Sequence, residues 1–180
     1  MDTKALANRV AAQHGTRDPF RIAEELGFIV IRAPLVEMRG LRQYVKRRTI
    51  VYVNASLDEP QQRLVYAHEL GHHFLHRGLN RLFMDRNTCM VANKYENEAH
   101  RFAVDLLYDD ADLRECAEWS DEQVARWMGV PLPLARYRRS TVPPLPGGHL
   151  SRVNAQKSKN IFYEARMRAI SSRKSCSEHR

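Results

Sequence analysis

The 180-residue sequence has few cysteines and no long hydrophobic run, and both absences narrow the class of protein. The three cysteines, Cys89, Cys116 and Cys176, are odd in number, far apart and form no CxxC motif. We therefore expect reduced, unpaired thiols, and neither a disulfide framework nor a cysteine-based metal site. No segment approaches the roughly 20 apolar residues that a membrane-spanning helix needs.

The N-terminal segment MDTKALANRVAAQHG also lacks the apolar region of a secretory signal peptide. Its pattern is that of an amphipathic helix. We therefore expect a cytoplasmic protein with no membrane segment. The hydrophobic share of 43% and the charged share of 28% are ordinary for one globular domain.

Positive charge is concentrated at the C-terminal end of the chain. Residues 151–180 hold eight Lys and Arg against two acids, which leaves residues 1–150 with 21 against 19. The segment VPPLPGG favours a linker, so we predict a folded domain over 1–141, a Pro/Gly linker over 142–150 and a disordered basic tail over 151–180. A protein that coats DNA would carry its charge on the folded domain, so we expect at most weak DNA contact through the tail.

The pattern of apolar residues predicts an α+β fold, with a small sheet of antiparallel type followed by a helical half. Strands are predicted at 28–34, 40–45 and 49–54, with KRR as the hairpin turn between the last two. Helices are predicted at 3–13, 18–26, 58–76, 95–107, 120–130 and 131–139. A loop is predicted over 79–92.

The helix that contains VYAHELGHHFLH, residues 65–76, carries the candidate chemistry. His68 and His72 are four residues apart and therefore share one helix face, and Glu69 leans toward the same side. This HExxH pattern lets two imidazoles bind one zinc ion while the carboxylate accepts a proton from water. Gly71 costs about 1 kcal/mol in a helix relative to alanine, which indicates close packing of another backbone there.

A third zinc ligand must come from elsewhere in the chain. The HExxHxxGxxH pattern fails, because Gly78 stands where it needs its third histidine. His76 lies a full turn beyond the histidine pair. The better candidates are Glu96 and Glu98 on the next predicted helix, since two histidines and one glutamate leave the fourth position for water.

HELGHHFLH followed by NEAHRFAVDLL resembles the ImmA/IrrE family of metallo-endopeptidases, whose pattern reads HELGH…LH and then EAN-x-FAAELL. The resemblance covers roughly residues 5–140. It implies a zincin-like helical half, with His68 and His72 as zinc ligands, Glu69 as general base and Glu98 as third ligand. The chain departs from the pattern at His100, where asparagine is usual, and at YDD, which replaces Met-Pro.

Several further residues are candidates for supporting roles. Asp105 matches an acidic residue common in the family, and it either holds the outer nitrogen of a ligating histidine or is a helix-surface carboxylate. His76 and His100 are also candidates for contacts behind the ligands. The group that stabilises the oxyanion stays open among His100, Tyr95, Tyr66 and His76.

The expected function is that of a zinc-dependent endopeptidase with a specific protein substrate. The resemblance implies that this substrate is a helix-turn-helix repressor of a mobile element or a stress response. Two alternatives belong to other classes: a zinc hydrolase of small molecules, and a toxin–antitoxin-type partner-binding module that retains a zinc site. The intact HExxH motif argues against the second alternative.

Overall fold

A computed structural model describes residues 2–36, 38–76 and 89–144, with the backbone alone at 89–92. Three strands lie in the described ranges: β1 Ile29–Ala33, β2 Gly40–Val45 and β3 Arg48–Asn54. The described helices are α1 Thr3–His14, α2 Pro19–Glu25, α3 Glu59–Leu75, α4 Cys89–Leu107, α5 Asp110–Glu115, α6 Asp121–Met128 and α7 Leu132–Ser140. The α+β prediction is confirmed. The predicted tail and most of the predicted linker lie outside the described residues.

The sheet is mixed, with strand order β1-β3-β2. β2 and β3 form the predicted antiparallel hairpin, whose turn places Lys46 and Arg47 at φ values of 47° and 65°. Both residues are left-handed, as a two-residue hairpin turn requires. β1 instead runs parallel to β3, so the predicted antiparallel type is wrong for this pair. The connection from β1 to β2 passes the end of β3, where the Asn54 side chain donates to the carbonyl oxygens of Leu35 and Met38.

One face of the sheet packs on α3. Val51 and Val53 alternate along β3 toward this face and pack with Val65 and Tyr66 of the helix. Gly40 lets β2 approach α3 closely, because a Cβ at this position would overlap the Val65 side chain. The sheet therefore holds the edge strand β2 directly against the helix that carries HExxH.

The second close contact joins α3 to α4. A Cβ at Gly71 would lie 3.0 Å from both the Cα and the carbonyl oxygen of Ala99, which confirms that this glycine permits close helix approach. Phe102 and Leu106, on the predicted apolar face of α4, are fully buried in the core that also includes Leu70. The two helices therefore pack with almost no side chain between their backbones at one point.

The ends of the helices follow the local sequence signals closely. The Asp58 carboxylate accepts from the backbone N–H of Gln61 at the start of α3, and Ser120 and Gln123 form a capping box on α6. α4 starts at Cys89, so the predicted loop is wrong for residues 89–92. No glycine or proline interrupts the sequence there, and the helix extends backward by nearly two turns.

The helical half is completed by the short helices α5, α6 and α7, which pack on the far side of α4 around Val104 and Val124. The helix α5 was not predicted from the sequence. It begins with a capping box between Asp109 and Asp112. Within the described ranges, no helix combines the length and apolar character needed to cross a membrane.

Candidate metal centre

His68 and His72 lie one turn apart on the face of α3 that meets α4. Their Nε2 atoms are 3.1 Å apart, and the two ring planes meet at 88°. An imidazole nitrogen that carries no hydrogen is an acceptor, so two such atoms come this close only when they share a proton or a cation. The predicted pairing of these two histidines is therefore present in the folded chain.

Glu96 of α4 faces the histidine pair. Its Oε2 is 3.2 Å from Nε2 of His68, and its Oε1 is 3.3 Å from Nε2 of His72. The hydrogen bonds of His68 and then of His72 hold the pKa of the Glu96 carboxyl well below its usual range. The carboxylate is therefore the ionised third member of a cluster of three donor groups, with one oxygen facing each histidine.

The spacing of these atoms tests whether a metal ion fits. Zinc–ligand bonds of about 2.0–2.1 Å at tetrahedral angles separate neighbouring donor atoms by about 3.3 Å. Here the two Nε2 atoms are 3.1 Å apart, and the two oxygens of Glu96 lie 3.2 and 3.3 Å from one Nε2 atom each. Burial lowers the pKa of His72, which favours the neutral imidazole that metal binding requires. The residues present therefore fit a metal ion with three protein ligands.

Glu98, the ligand implied by the family resemblance, lies elsewhere. Its Oε2 is 3.0 Å from Nε2 of His76, and Glu96 holds the position opposite the histidine pair. Two residues along an α-helix are about 200° apart around its axis, so both carboxylates cannot face the same pair. The structure thus separates the two candidates that the sequence left open.

His76 caps the C-terminal end of α3 and is buried. Its Nδ1 is 3.1 Å from Nδ1 of His72, on the side of the His72 ring away from Glu96. The ring of Tyr95 packs edge-on against His76 at 4.6 Å. His76 therefore lies behind a candidate ligand, in the kind of position that the sequence suggested.

His100 stands one turn beyond Glu96 on α4, on the same face. Its ring centroid is 4.3 Å from that of His68, and one of its nitrogens lies within 4.8 Å of ligand atoms of His68 and Glu96. Burial, followed by the charge of His68, lowers the pKa of His100 to about 4. Among the residues considered for the oxyanion, His100 belongs to the same cluster as the candidate ligands, whereas Tyr66 packs in the core under the sheet.

Glu69 is buried, with 3% of its surface exposed. Within the described residues its Oε2 has no hydrogen-bond donor, and the nearest cation is Nε of Arg42 at 3.7 Å. Arg42 lies on the edge strand β2, and the sequence analysis did not identify it. The available signal was alternation, because Arg42 pairs with Val51 and so shares the face of the sheet that packs on α3.

Asp105 is buried but contacts a different part of the molecule. Its Oδ2 accepts hydrogen bonds from the hydroxyls of Thr3 and Tyr137, both at 2.9 Å. Its Oδ1 lies 3.7 Å from Nε of the buried Arg138. The interpretation of Asp105 as a partner of a ligating histidine is therefore wrong, and so is the alternative of a helix-surface carboxylate.

Comparison with known proteins identifies the family of the chain. The Peptidase_M78 family model, described as IrrE N-terminal-like domain, matches residues 16–140. An immunity region protein of Bacillus phage phi105, with no assigned activity, is 33% identical over 138 residues, covering 75% of this chain and 87% of that protein. Metallopeptidase ImmA of Bacillus subtilis (strain 168) is 30% identical over 139 residues, covering 74% and 81%.

A solved structure, that of a Mycobacterium tuberculosis transcriptional regulator, shares the fold with a TM-score of 0.55. Its sequence is 19% identical, and the match covers 79% of this chain but 47% of the regulator, about half its length. An HExxH helix packed against a helix that presents a carboxylate to it is the arrangement of a metallopeptidase. The chain belongs to the Peptidase_M78 family of ImmA/IrrE metallopeptidases.

Proposed function

We propose that the protein is a zinc-dependent endopeptidase in which His68, His72 and Glu96 hold the metal and Glu69 is the general base. The convergence of three donor side chains, with nitrogen–nitrogen and nitrogen–oxygen separations of 3.1–3.3 Å, carries this proposal. It replaces Glu98 with Glu96 in the ligand set, because only Glu96 faces both histidines among the described carboxylates. The donor set of two imidazoles and one carboxylate is typical of catalytic zinc.

The roles of the residues follow from their surroundings. Zinc, when bound, supplies the Lewis acidity that polarises the scissile carbonyl and activates water near neutral pH. Glu69 accepts the proton from that water and delivers it to the leaving amine. Its carboxylate is buried with an unused oxygen, so it is available for a proton rather than engaged in a structural hydrogen bond. Arg42 keeps a positive charge close to this carboxylate.

The proposed substrate is a helix-turn-helix transcriptional repressor, and the proposed location is the cytoplasm, where such a repressor acts. The family resemblance supports this substrate, as does the relative encoded in a phage immunity region. We propose in addition that the basic tail, residues 151–180, makes weak contacts with DNA and keeps the enzyme near its substrate. The tail lies outside the described residues, so this proposal rests on charge alone.

Metal analysis tests the ligand set directly. We expect one zinc ion per purified chain, and we expect His68→Ala, His72→Ala and Glu96→Gln each to lose it. Full zinc retention in both histidine variants would overturn the metal site. Retention in Glu96→Gln together with loss in Glu98→Gln would restore Glu98 as the ligand.

Proteolysis is tested with a candidate helix-turn-helix repressor, chosen by searching the neighbourhood of the gene. Zinc-loaded protein should cut the purified repressor at a defined peptide bond, which intact-mass analysis of the fragments identifies. The Glu69→Gln protein, loaded with zinc, is the matched control and should leave the repressor whole. An intact repressor with both proteins would reject this substrate, and equal cleavage by both would reject Glu69 as the base.

A further inference from the structure

Three side chains, two of them buried and the third partly buried, form a continuous chain behind the candidate metal site. Glu98 lies 3.0 Å from Nε2 of His76, and Nδ1 of His76 lies 3.1 Å from Nδ1 of His72. Nε2 of His72 then faces Glu96 and His68. His76 and His72 are both more than nine-tenths buried, so water competes little for these hydrogen bonds.

The chemistry of these groups allows one assignment of protons when both rings are neutral. An ionised carboxylate only accepts, so Nε2 of His76 must donate to Glu98. A neutral imidazole has one N–H, which leaves Nδ1 of His76 as an acceptor. When a metal ion takes the place of the proton that His72 shares with Glu96, the hydrogen atom between the two Nδ1 atoms belongs to His72, and its Nε2 is left without a proton and directed at the site.

His68 lacks an equivalent arrangement. Its Nδ1 is buried, and no hydrogen-bond partner for it occurs in the described part of the chain. Its ring packs against His100 instead, at 4.3 Å between centroids. The two histidines of one motif are therefore oriented by different means, His72 by hydrogen bonds and His68 by packing.

We propose that Glu98 and His76 are positioning residues that fix the tautomer and ring orientation of His72 for metal binding. This inference rests on the proposed function, since it assigns His72 as a ligand through Nε2. Glu98 acts only through His76, and neither residue touches the metal. Removing such an outer hydrogen bond typically weakens metal binding about 10–100-fold.

The test compares variants that break the hydrogen bond from His76 to residue 98 with one that keeps an acceptor for it. Glu98→Ala removes the acceptor and should weaken zinc binding about 10–100-fold. Glu98→Gln keeps a carbonyl oxygen that can accept a hydrogen bond from His76, so its zinc binding should weaken clearly less. His76→Ala should match Glu98→Ala, because either change breaks the same chain. Asn97→Ala, at an exposed position between the two glutamates, is the control and should bind zinc as the natural sequence does.

Zinc dissociation constants are measured by competition with a chromophoric chelator, on full-length protein. Two further readouts separate positioning from ligation and from general stability. The visible spectrum of the cobalt-substituted protein should keep its shape in Glu98→Ala, because the coordinating atoms are unchanged. In the zinc-loaded natural protein, NMR should show slowly exchanging N–H protons on Nδ1 of His72 and Nε2 of His76, and Glu98→Ala should lose the second.

Each outcome decides one question. If the natural sequence binds no zinc, the proposed function fails, and the inference fails with it. If the natural sequence binds zinc and both Glu98→Ala and His76→Ala bind it equally well, the positioning role alone is wrong. A cobalt spectrum altered by Glu98→Ala but not by Glu96→Gln would make Glu98 a ligand and would also overturn the inference.

Discussion

Buried charged groups occur in two regions of this molecule, and the regions treat them differently. Where α4, α5 and α7 meet, Arg138 donates to the carbonyl oxygen of Tyr108, to the Thr141 hydroxyl and to a carboxylate oxygen of Asp110. Between α3, α4 and β2, Glu69 keeps one buried oxygen without a hydrogen bond from any described residue. Leaving a buried polar atom unpaired is costly, so folding favours the arrangement of Arg138 and that of Glu69 calls for another explanation. Oδ1 of Asp105, 3.7 Å from Nε of Arg138, also lacks a hydrogen bond from any described residue, so the contrast is between Arg138 and Glu69 and does not extend to every atom around them.

The comparison shows two uses of charged groups in this protein, one structural and one chemical. Arg138 is almost fully enclosed and its donors are satisfied within the chain, so its role is to join three helices. The atoms of His68, His72 and Glu96 converge on one point, where a cation would satisfy them together. Perturbed and incompletely paired groups that cluster in this way mark functional sites.

The largest expected effect concerns the unpaired carboxylate. Glu69→Gln should reduce repressor cleavage about 10²–10⁴-fold, the usual contribution of a general base. Zinc content should stay at one ion per chain, and the midpoint of thermal unfolding should not fall, because no hydrogen bond to Oε2 is lost. Single-turnover cleavage rates, metal analysis and thermal unfolding check these three expectations. A marked fall in the midpoint would show that Glu69 stabilises the fold as Arg138 does. The two regions would then not differ in how they use charge.

The second prediction concerns the loss of the Arg138 guanidinium, whose donors are satisfied within the chain. Arg138→Met should lower the free energy of unfolding by about 3–5 kcal/mol, because it leaves Asp105 and Asp110 without their buried partner. Arg136→Met is the control; its ion pair with Asp121 is on the surface, and its loss should cost at most about 1 kcal/mol. Urea unfolding measures the free energy of unfolding of both variants. Zinc affinity of folded Arg138→Met should be unchanged, and a large drop would show that the two regions are coupled.

Gly71→Ala should have a smaller effect that reaches the site through packing. The added methyl meets the Ala99 backbone at 3.0 Å, so α3 and α4 must separate at a cost of about 1–3 kcal/mol. The gain of about 1 kcal/mol in helix propensity offsets part of this. Because Glu96 is on α4 and the histidines are on α3, zinc affinity should fall as well.

Gly15→Ala is the matched control for this packing effect. Gly15 has a φ of 61° and open space around it, so alanine should cost about 1–2 kcal/mol in backbone strain without moving a neighbour. Its zinc affinity should therefore equal that of the natural sequence. Chelator competition measures the zinc affinity of both variants. Equal zinc affinity in the two would show that the spacing of α3 and α4 does not affect the metal site.

The smallest expected effect lies outside both regions. Truncation after Gly148 removes the segment that carries most of the net charge. Zinc content and intrinsic peptidase activity should not change, whereas weak DNA binding at low salt should disappear, since it depends on Lys and Arg contacts with phosphates. Fluorescence anisotropy with labelled duplex DNA measures this. Undiminished binding by the truncated protein would assign DNA contact to Arg136 and Arg139, since Arg138 is buried.

Local signals in the sequence predicted much of the fold. The hairpin turn and the close contact at Gly71 are both present, because the turn depends on a few neighbouring residues and the contact on one steric requirement. The parallel pairing of β1 with β3 was missed, since strand direction depends on which side of β3 the chain returns to. The role of Asp105 was missed for the same kind of reason: its partners Thr3 and Tyr137 are far away along the chain.

The sequence by itself determined the first part of the metal chemistry. His68 and His72 share a helix face because 3.6 residues per turn bring positions four apart together, whatever surrounds the helix. Which carboxylate meets them was decided only by the tertiary structure. The contact of Gly71 with Ala99 sets the rotation of α4 against α3, and that rotation turns Glu96 toward the histidine pair and Glu98 toward His76. Contacts between two helices depend on packing across the whole core, which no spacing within one helix encodes.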